Sequence, residues 1–162
     1  MANYLLVLID VDESPELVAR ARELSAADPV AEFVLMAPAT PPSPLDLLLE
    51  PACTARRLAS RRSQRVRDQL IAAGVRVVAA RLGNFVPMRA VEDALRFSNY
   101  SALIVAAPKH ALLHLLHRDL CCRIARRFPQ VMVIHAAGIR VGPGATAVSA
   151  AATRSQSPQQ LR

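Results

Sequence analysis

Apolar positions along this chain follow two different periodicities. Five short apolar runs are typical of strands that are buried on both faces of a parallel sheet. The runs are Tyr4 to Val11, Phe33 to Met36, a run beginning at Val75, Ala102 to Ala107, and Val131 to Ala137. Between them, apolar residues recur every three or four positions, which predicts amphipathic helices.

Residues with a direct role in helix termination mark several helix ends. Ser14 and Pro15 have the residue types of an N-cap and a first helical position, and Pro29 ends that helix. Gly74 follows a helix predicted from about Ala55 to Ala73. Because strands and helices alternate, the sequence predicts an α/β fold with right-handed crossovers and helices on both faces of a parallel sheet.

The composition divides the chain into a folded part and a tail. Its 162 residues suit one domain, which we assign to residues 1–137. Beyond Gly138 the residues are mostly small or polar and form no apolar stripe, so residues 138–162 are predicted to be a disordered C-terminal tail.

The sequence also indicates where in the cell the protein is located. No apolar run reaches the ~20 residues that a membrane helix needs, and the first residues lack the basic start of a signal peptide. The three cysteines are an odd number and do not indicate a disulfide framework. We therefore expect a cytoplasmic protein with no membrane partner.

Three stretches resemble the universal stress protein family, and together they extend over about Asn3 to Ala137. "LLVLIDVDESPELVARARELS" resembles the family's first strand, its terminal Asp (here Asp10) and its first helix. "RLGNFVPMRAVEDAL" resembles the exit of the third strand, with Gly83 and Asn84 before a helix. "SALIVAAPKHALLHLLHRDLCCRIARRFPQVMVIHAA" resembles the C-terminal unit of strand, phosphate loop, helix and last strand. The resemblance implies an open five-stranded parallel sheet of order 3-2-1-4-5.

The phosphate loop departs from the family pattern. ATP-binding members carry G-x2-G-x9-G-[ST] after the fourth strand, and here Ala107 and His110 stand in place of the first two glycines. The helix start falls near Arg118 and Asp119, and an aspartate there would repel a triphosphate. Without glycines the backbone cannot approach a phosphate closely. We therefore predict that family-type ATP binding is lost and that no cofactor is bound.

A ligand crevice beyond the carboxyl ends of the strands stays an alternative, since open α/β sheets bind ligands there. The protein would then be a nucleotide or small-anion sensor at the ends of the first and fourth strands. The candidate ligand-binding residues are Asp10, Val11, Ala37, Ala107, Lys109, His110, Arg118 and Asp119.

Two other clusters have both a specific and an ordinary interpretation. His110, His114 and His117 share a helical spacing suited to metal ligands, but no second Cys/His cluster completes the set, so no metal site is predicted. "ARRLASRRSQRVRDQL", from Ala55, carries six arginines of a chain with net charge +7. It is either a basic face for nucleic acid or a solvated outer face, with Leu58, Val66 and Leu70 directed inward.

The fifth strand is the candidate dimer edge. Its residues are Val131, Met132, Val133, Ile134 and His135. An apolar edge strand without proline or charge favours pairing, and the family resemblance implies a homodimer through this strand. No catalytic motif is present, so we expect a protein that is not an enzyme and acts through homodimerisation or a protein partner. A basic, nucleic-acid-associated protein is the third possibility.

Overall fold

Strands and helices alternate along the chain, as the apolar pattern predicts. The computed structural model describes residues 2–40, 52–107, 120–136 and 140–141. The strands are β1 (Asn3–Leu8), β2 (Glu32–Pro38), β3 (Val77–Gly83), β4 (Ala102–Ala106), β5 (Met132–His135) and β6 (Arg140–Val141). The helices are α1 (Pro15–Ala27), α2 (Ala52–Ala72), α3 (Pro87–Phe97) and α4 (120–127).

The first five strands form an open parallel sheet of order β3-β2-β1-β4-β5, which confirms the predicted fold class and strand order. β1 lies at the centre because it pairs with both β2 and β4. The order reverses direction between β1 and β4. In open α/β sheets, this reversal is the place where a crevice forms at the carboxyl ends of the strands.

The two faces of the sheet carry separate apolar cores. Leu6, Leu35 and Ile104 point to the face covered by α1 and α2, whereas Leu5, Val7 and Val105 point to the face covered by α3 and α4. Every residue of β4 is buried. This explains why the central strands are continuous apolar runs with no polar alternation.

Capping chemistry fixes the helix ends that the sequence marks. The Ser14 hydroxyl accepts a hydrogen bond from the Leu17 N–H at 3.3 Å, and Pro15 opens α1. Gly74 has a φ of 81°, the left-handed conformation that glycine adopts without penalty after a helix. β1 ends at Leu8, three residues before its predicted end, because the chain leaves the sheet at Asp10, where φ is 49°.

The far edge of the sheet differs from the sequence prediction. β6 pairs antiparallel with β5, with Val133 opposite Val141 and Ile134 opposite Arg140. Residues 140–141 belong to the segment predicted to be a disordered tail, and at these two positions the structure has a strand instead. The physical reason is that an edge strand offers unpaired N–H and C=O groups, which β6 satisfies. The remainder of the predicted tail lies outside the described residues.

The helices of the described part are too short or too polar to span a membrane. The longest is α2, which has 21 residues and contains the six arginines noted above.

Candidate functional site

The candidate site lies at the carboxyl ends of β1 and β4, where the strand order reverses. Leu8 is opposite Ala106 in the last register pair, and the Ile9 N–H donates to the Ala106 carbonyl at 2.9 Å. The chain segments that follow these strands therefore start side by side. Of the predicted ligand-binding residues, Asp10, Val11 and Ala107 belong to these segments.

The other predicted ligand-binding residues are placed differently or lie outside the described part. Ala37 is 2% exposed and packs among apolar neighbours in the core beneath α1 and α2. Lys109, His110, Arg118 and Asp119 lie outside the described residues, as do His114 and His117. Their proposed roles stay predictions.

One arginine forms ion pairs with two carboxylates at the end of β1. Arg62, in the middle of α2, donates from Nη1 to an Asp10 carboxylate oxygen at 3.0 Å and from Nε to an Asp12 carboxylate oxygen at 2.8 Å. The Arg62 side chain is only 19% exposed, and that of Asp12 is 66% exposed. One guanidinium thus joins α2 to both sides of the turn that leaves the sheet.

The turn itself has an uncommon backbone. Among the residues that the structure describes, one residue other than glycine has a positive φ, and it is Asp10. The left-handed region is reached by aspartate more readily than by most residues, and such positions concentrate at functional and constrained sites. The ion pair with Arg62 holds the side chain of this same residue, so backbone and side chain fix the turn together.

Several acidic side chains lie around this turn. Arg62 faces two carboxylates, Asp10 and Asp12, while Glu13 follows directly and Glu16 lies in the first turn of α1. The α1 N-terminus already uses the Ser14 hydroxyl as its cap. Among the described charges, those of Asp10 and Asp12 would oppose an anionic ligand at the end of β1.

Arg62 is the residue that sequence reasoning missed, although the pattern contained a signal. It lies four residues after Leu58 and four before Val66, on the predicted inward stripe of α2. The other five arginines in the predicted basic stretch (Arg56, Arg57, Arg61, Arg65 and Arg67) are exposed. A charged residue within an apolar stripe indicates a partner on the facing element, and here that partner is the β1 turn.

The glycine at the third-strand exit has a packing role. A Cβ at Gly83 would lie 2.6 Å from the Cβ of Ala90 on α3, closer than real Cβ atoms approach one another. The following Asn84 side chain accepts a hydrogen bond from the Val86 N–H at 3.0 Å. Gly83 thus permits α3 to pack on the end of β3, and Asn84 forms the turn between them.

The cysteine pair of α4 divides between core and surface. Cys121 is fully buried, and Cys122 is half-buried. Burial, followed by the neighbouring Cys122, raises the pKa of Cys121 to about 12, so its thiol stays protonated and unreactive at neutral pH. Over the described ranges, no three His, Cys, Asp or Glu side chains lie close enough together to hold a metal ion.

At the predicted dimer edge, most side chains point inward. Val131, Val133, Ile134 and His135 are buried, whereas Met132 is 49% exposed. Together with the pairing of β6 to Val133 and Ile134, this leaves Met132 as the accessible apolar side chain of β5.

No protein-family model matches the chain, and no curated protein matches it. The resemblance to universal stress proteins therefore rests on the three quoted stretches alone, while the α/β fold with strand order 3-2-1-4-5 is established by the structure itself.

Proposed function

We propose that this protein is a non-enzymatic, universal-stress-protein-like module of the cytoplasm that acts through homodimerisation or a protein partner and has lost ATP binding. The strand order and the quoted stretches support the first part of the proposal. The proposed loss of ATP binding rests on the ion pair at the end of β1.

The observation that carries the loss of ATP binding is the pairing of Asp10 with Arg62 at 3.0 Å. The family resemblance puts a ligand-facing acid at Asp10, but here that carboxylate is already bound to a guanidinium. A nucleotide would have to displace Arg62 and then meet the charges of Asp10 and Asp12. Both steps oppose binding of a polyphosphate.

Titration calorimetry of the full chain with MgATP tests this proposal. We expect no measurable heat of binding up to millimolar nucleotide for the native protein. The variant Arg62→Ala removes the guanidinium that contacts both carboxylates, and Arg61→Ala, which changes an exposed neighbour on the same helix, is its control. A micromolar Kd for the native protein would refute the proposed loss.

The homodimer is tested by light scattering of the native protein. A dimer has twice the chain mass of 17.5 kDa. Because β6 already pairs with Val133 and Ile134, the proposed dimer would contact β5 through the exposed Met132 side chain. Met132→Lys should then shift the dimer toward a folded monomer, whereas Val30→Lys, at an exposed apolar position between α1 and β2, should not. A native protein that stays monomeric at tens of micromolar would contradict dimerisation. Action through a protein partner would then be the remaining form of the proposal.

A basic surface favours a second candidate function, association with nucleic acid. Five exposed arginines lie on α2, and contacts between such residues and phosphates produce a steep salt dependence of affinity. Gel-shift titrations with single- and double-stranded DNA and RNA at several salt concentrations test it. The double variant Arg57→Ala/Arg61→Ala should weaken binding several-fold, and absence of binding at low salt would exclude this function.

A further inference from the structure

The two edge strands of the parallel sheet differ in their pairing. β5 is paired with β6 on its outer side, whereas no strand in the described ranges pairs with β3 on the side away from β2. β3 has seven residues, longer than β5, and is the larger of the two edges. An edge of this length with no partner strand in the described part of the chain is a template for an additional strand.

The backbone direction along β3 identifies the groups that point away from β2. The Gly83 carbonyl points to β2, because it accepts a hydrogen bond from the Ala39 N–H at 3.4 Å. Backbone groups alternate in direction along a strand, so those of Ala80 and Leu82 point away from β2. An extended peptide beside β3 would bond to these two residues without disturbing the existing ladder.

The side chains of this edge differ between the two faces of the sheet. Leu82 is opposite Ala37 and shares the face of α1 and α2, but it is 46% exposed. Arg81 is opposite Met36 and lies on the other face, where it is also exposed. Just beyond the strand, the apolar side chain of Phe85 is 53% exposed. An added strand would therefore meet apolar groups on one face and a positive charge on the other.

We propose that the β3 edge binds an extended segment of a partner protein in which apolar and acidic residues alternate. Cross-strand pairs then match Leu82 with an apolar residue and Arg81 with a carboxylate. The exposed Arg89, in the first turns of α3, adds positive charge near the same face. The proposal rests on the proposed function only in that the protein acts through another polypeptide, and it does not require the β5 dimer.

Charge argues for such a partner over a second copy of this chain. Two β3 edges paired about a two-fold axis would bring both Arg81 side chains to one face, within a pair of chains that each carry a net charge of +7. Like charges across neighbouring strands destabilise the pairing. An acidic segment removes this repulsion and gains attraction.

Fluorescence anisotropy with labelled heptapeptides tests the proposal on the full chain. The probe is fluorescein-VEVEVEV, and the comparison peptides are VKVKVKV and EEEEEEE. We expect saturable binding of VEVEVEV and at least tenfold weaker binding of both others. Equal binding of EEEEEEE would show that charge alone is responsible and would overturn the proposal, as would absence of VEVEVEV binding at millimolar protein.

Two variants locate the binding to β3. Ala80→Pro removes an outward N–H, and edge strands tolerate proline there, so the fold should persist while peptide affinity falls at least tenfold. Arg81→Glu should reverse the preference between VEVEVEV and VKVKVKV, and Arg65→Glu, an equal charge change on α2, should not. The Arg81→Glu result stands even if Ala80→Pro destabilises the protein. Unchanged affinity in Arg81→Glu, or a native dimer that Ala80→Pro dissociates, would overturn the acidic-partner assignment.

Discussion

The ion pair between α2 and the β1 turn should be a measurable source of stability. Arg62→Ala removes both hydrogen bonds from the guanidinium to Asp10 and Asp12. The exposed neighbour Arg61 offers a matched control on the same helix. The comparison isolates the effect of position, since both variants remove one arginine from α2.

The expected magnitude follows from the exposure of the three side chains. The contact with Asp10 is half-buried and charge-assisted, which corresponds to about 1.5–3 kcal/mol of folding free energy. The contact with Asp12 is largely solvated and contributes about 0–1 kcal/mol. We expect Arg62→Ala to lower the free energy of unfolding by about 2 kcal/mol. For a chain of this size, that lowers Tm by about 4–8 °C.

Urea unfolding monitored by circular dichroism measures the loss, and a double-mutant cycle assigns it. We expect a coupling of about 1–2 kcal/mol between Arg62 and Asp10 and less than about 1 kcal/mol between Arg62 and Asp12. Arg61→Ala should change stability by less than about 0.5 kcal/mol. If Arg62→Ala were no more destabilising than Arg61→Ala, or if the Asp10 coupling were zero, the assigned role of this ion pair would be wrong.

Three further predictions concern packing, titration and the tail. Gly83→Ala forces its new methyl group against Ala90 and should cost about 1–3 kcal/mol by overpacking, measured by urea unfolding. Gly74→Ala, whose Cβ meets open space but whose φ is positive, should cost about 1 kcal/mol, and equal losses would contradict a steric role for Gly83. Burial raises the pKa of the Cys121 thiol from 9.0 to about 12, so the unfolded chain loses this proton at a lower pH than the folded chain. The contribution of this thiol to folding stability is therefore full below pH 9 and declines toward pH 12 by up to about 1.4 kcal/mol per pH unit. Cys121→Ala should flatten that decline relative to the exposed-site control Cys53→Ala, and identical pH profiles would contradict it. Deleting Pro143 to Arg162 retains β6 and should leave Tm unchanged within about 2 °C, since a tail poor in apolar residues buries little surface; a larger decrease would mean that the tail packs on the domain.

Periodicity alone was sufficient to predict the architecture. The central strands are apolar throughout because helices cover both of their faces, and Ser14, Pro15 and Gly74 terminate helices by local chemistry that depends on few neighbours. Strand order came from the family resemblance and is confirmed by the register of β1 between β2 and β4. The apolar strands and the helix ends are local or repeat along the chain, so the sequence carries them directly, whereas strand order does not follow from periodicity.

The candidate sites required the tertiary structure. Arg62 and Asp10 are 52 residues apart, and nothing in either local pattern names the other. Ala37 follows the predicted end of the second strand, but only the structure shows that it lies within β2 and is enclosed in the core beneath α1 and α2. The exposure of Leu82 and Arg81 likewise depends on which edge of the sheet β6 covers. Composition and periodicity determined which residues are apolar, which residues can cap a helix, and that the chain forms a parallel sheet. Contacts between distant segments decided which charges meet and which edge has no partner strand in the described part, because such contacts depend on the positions of whole elements in space.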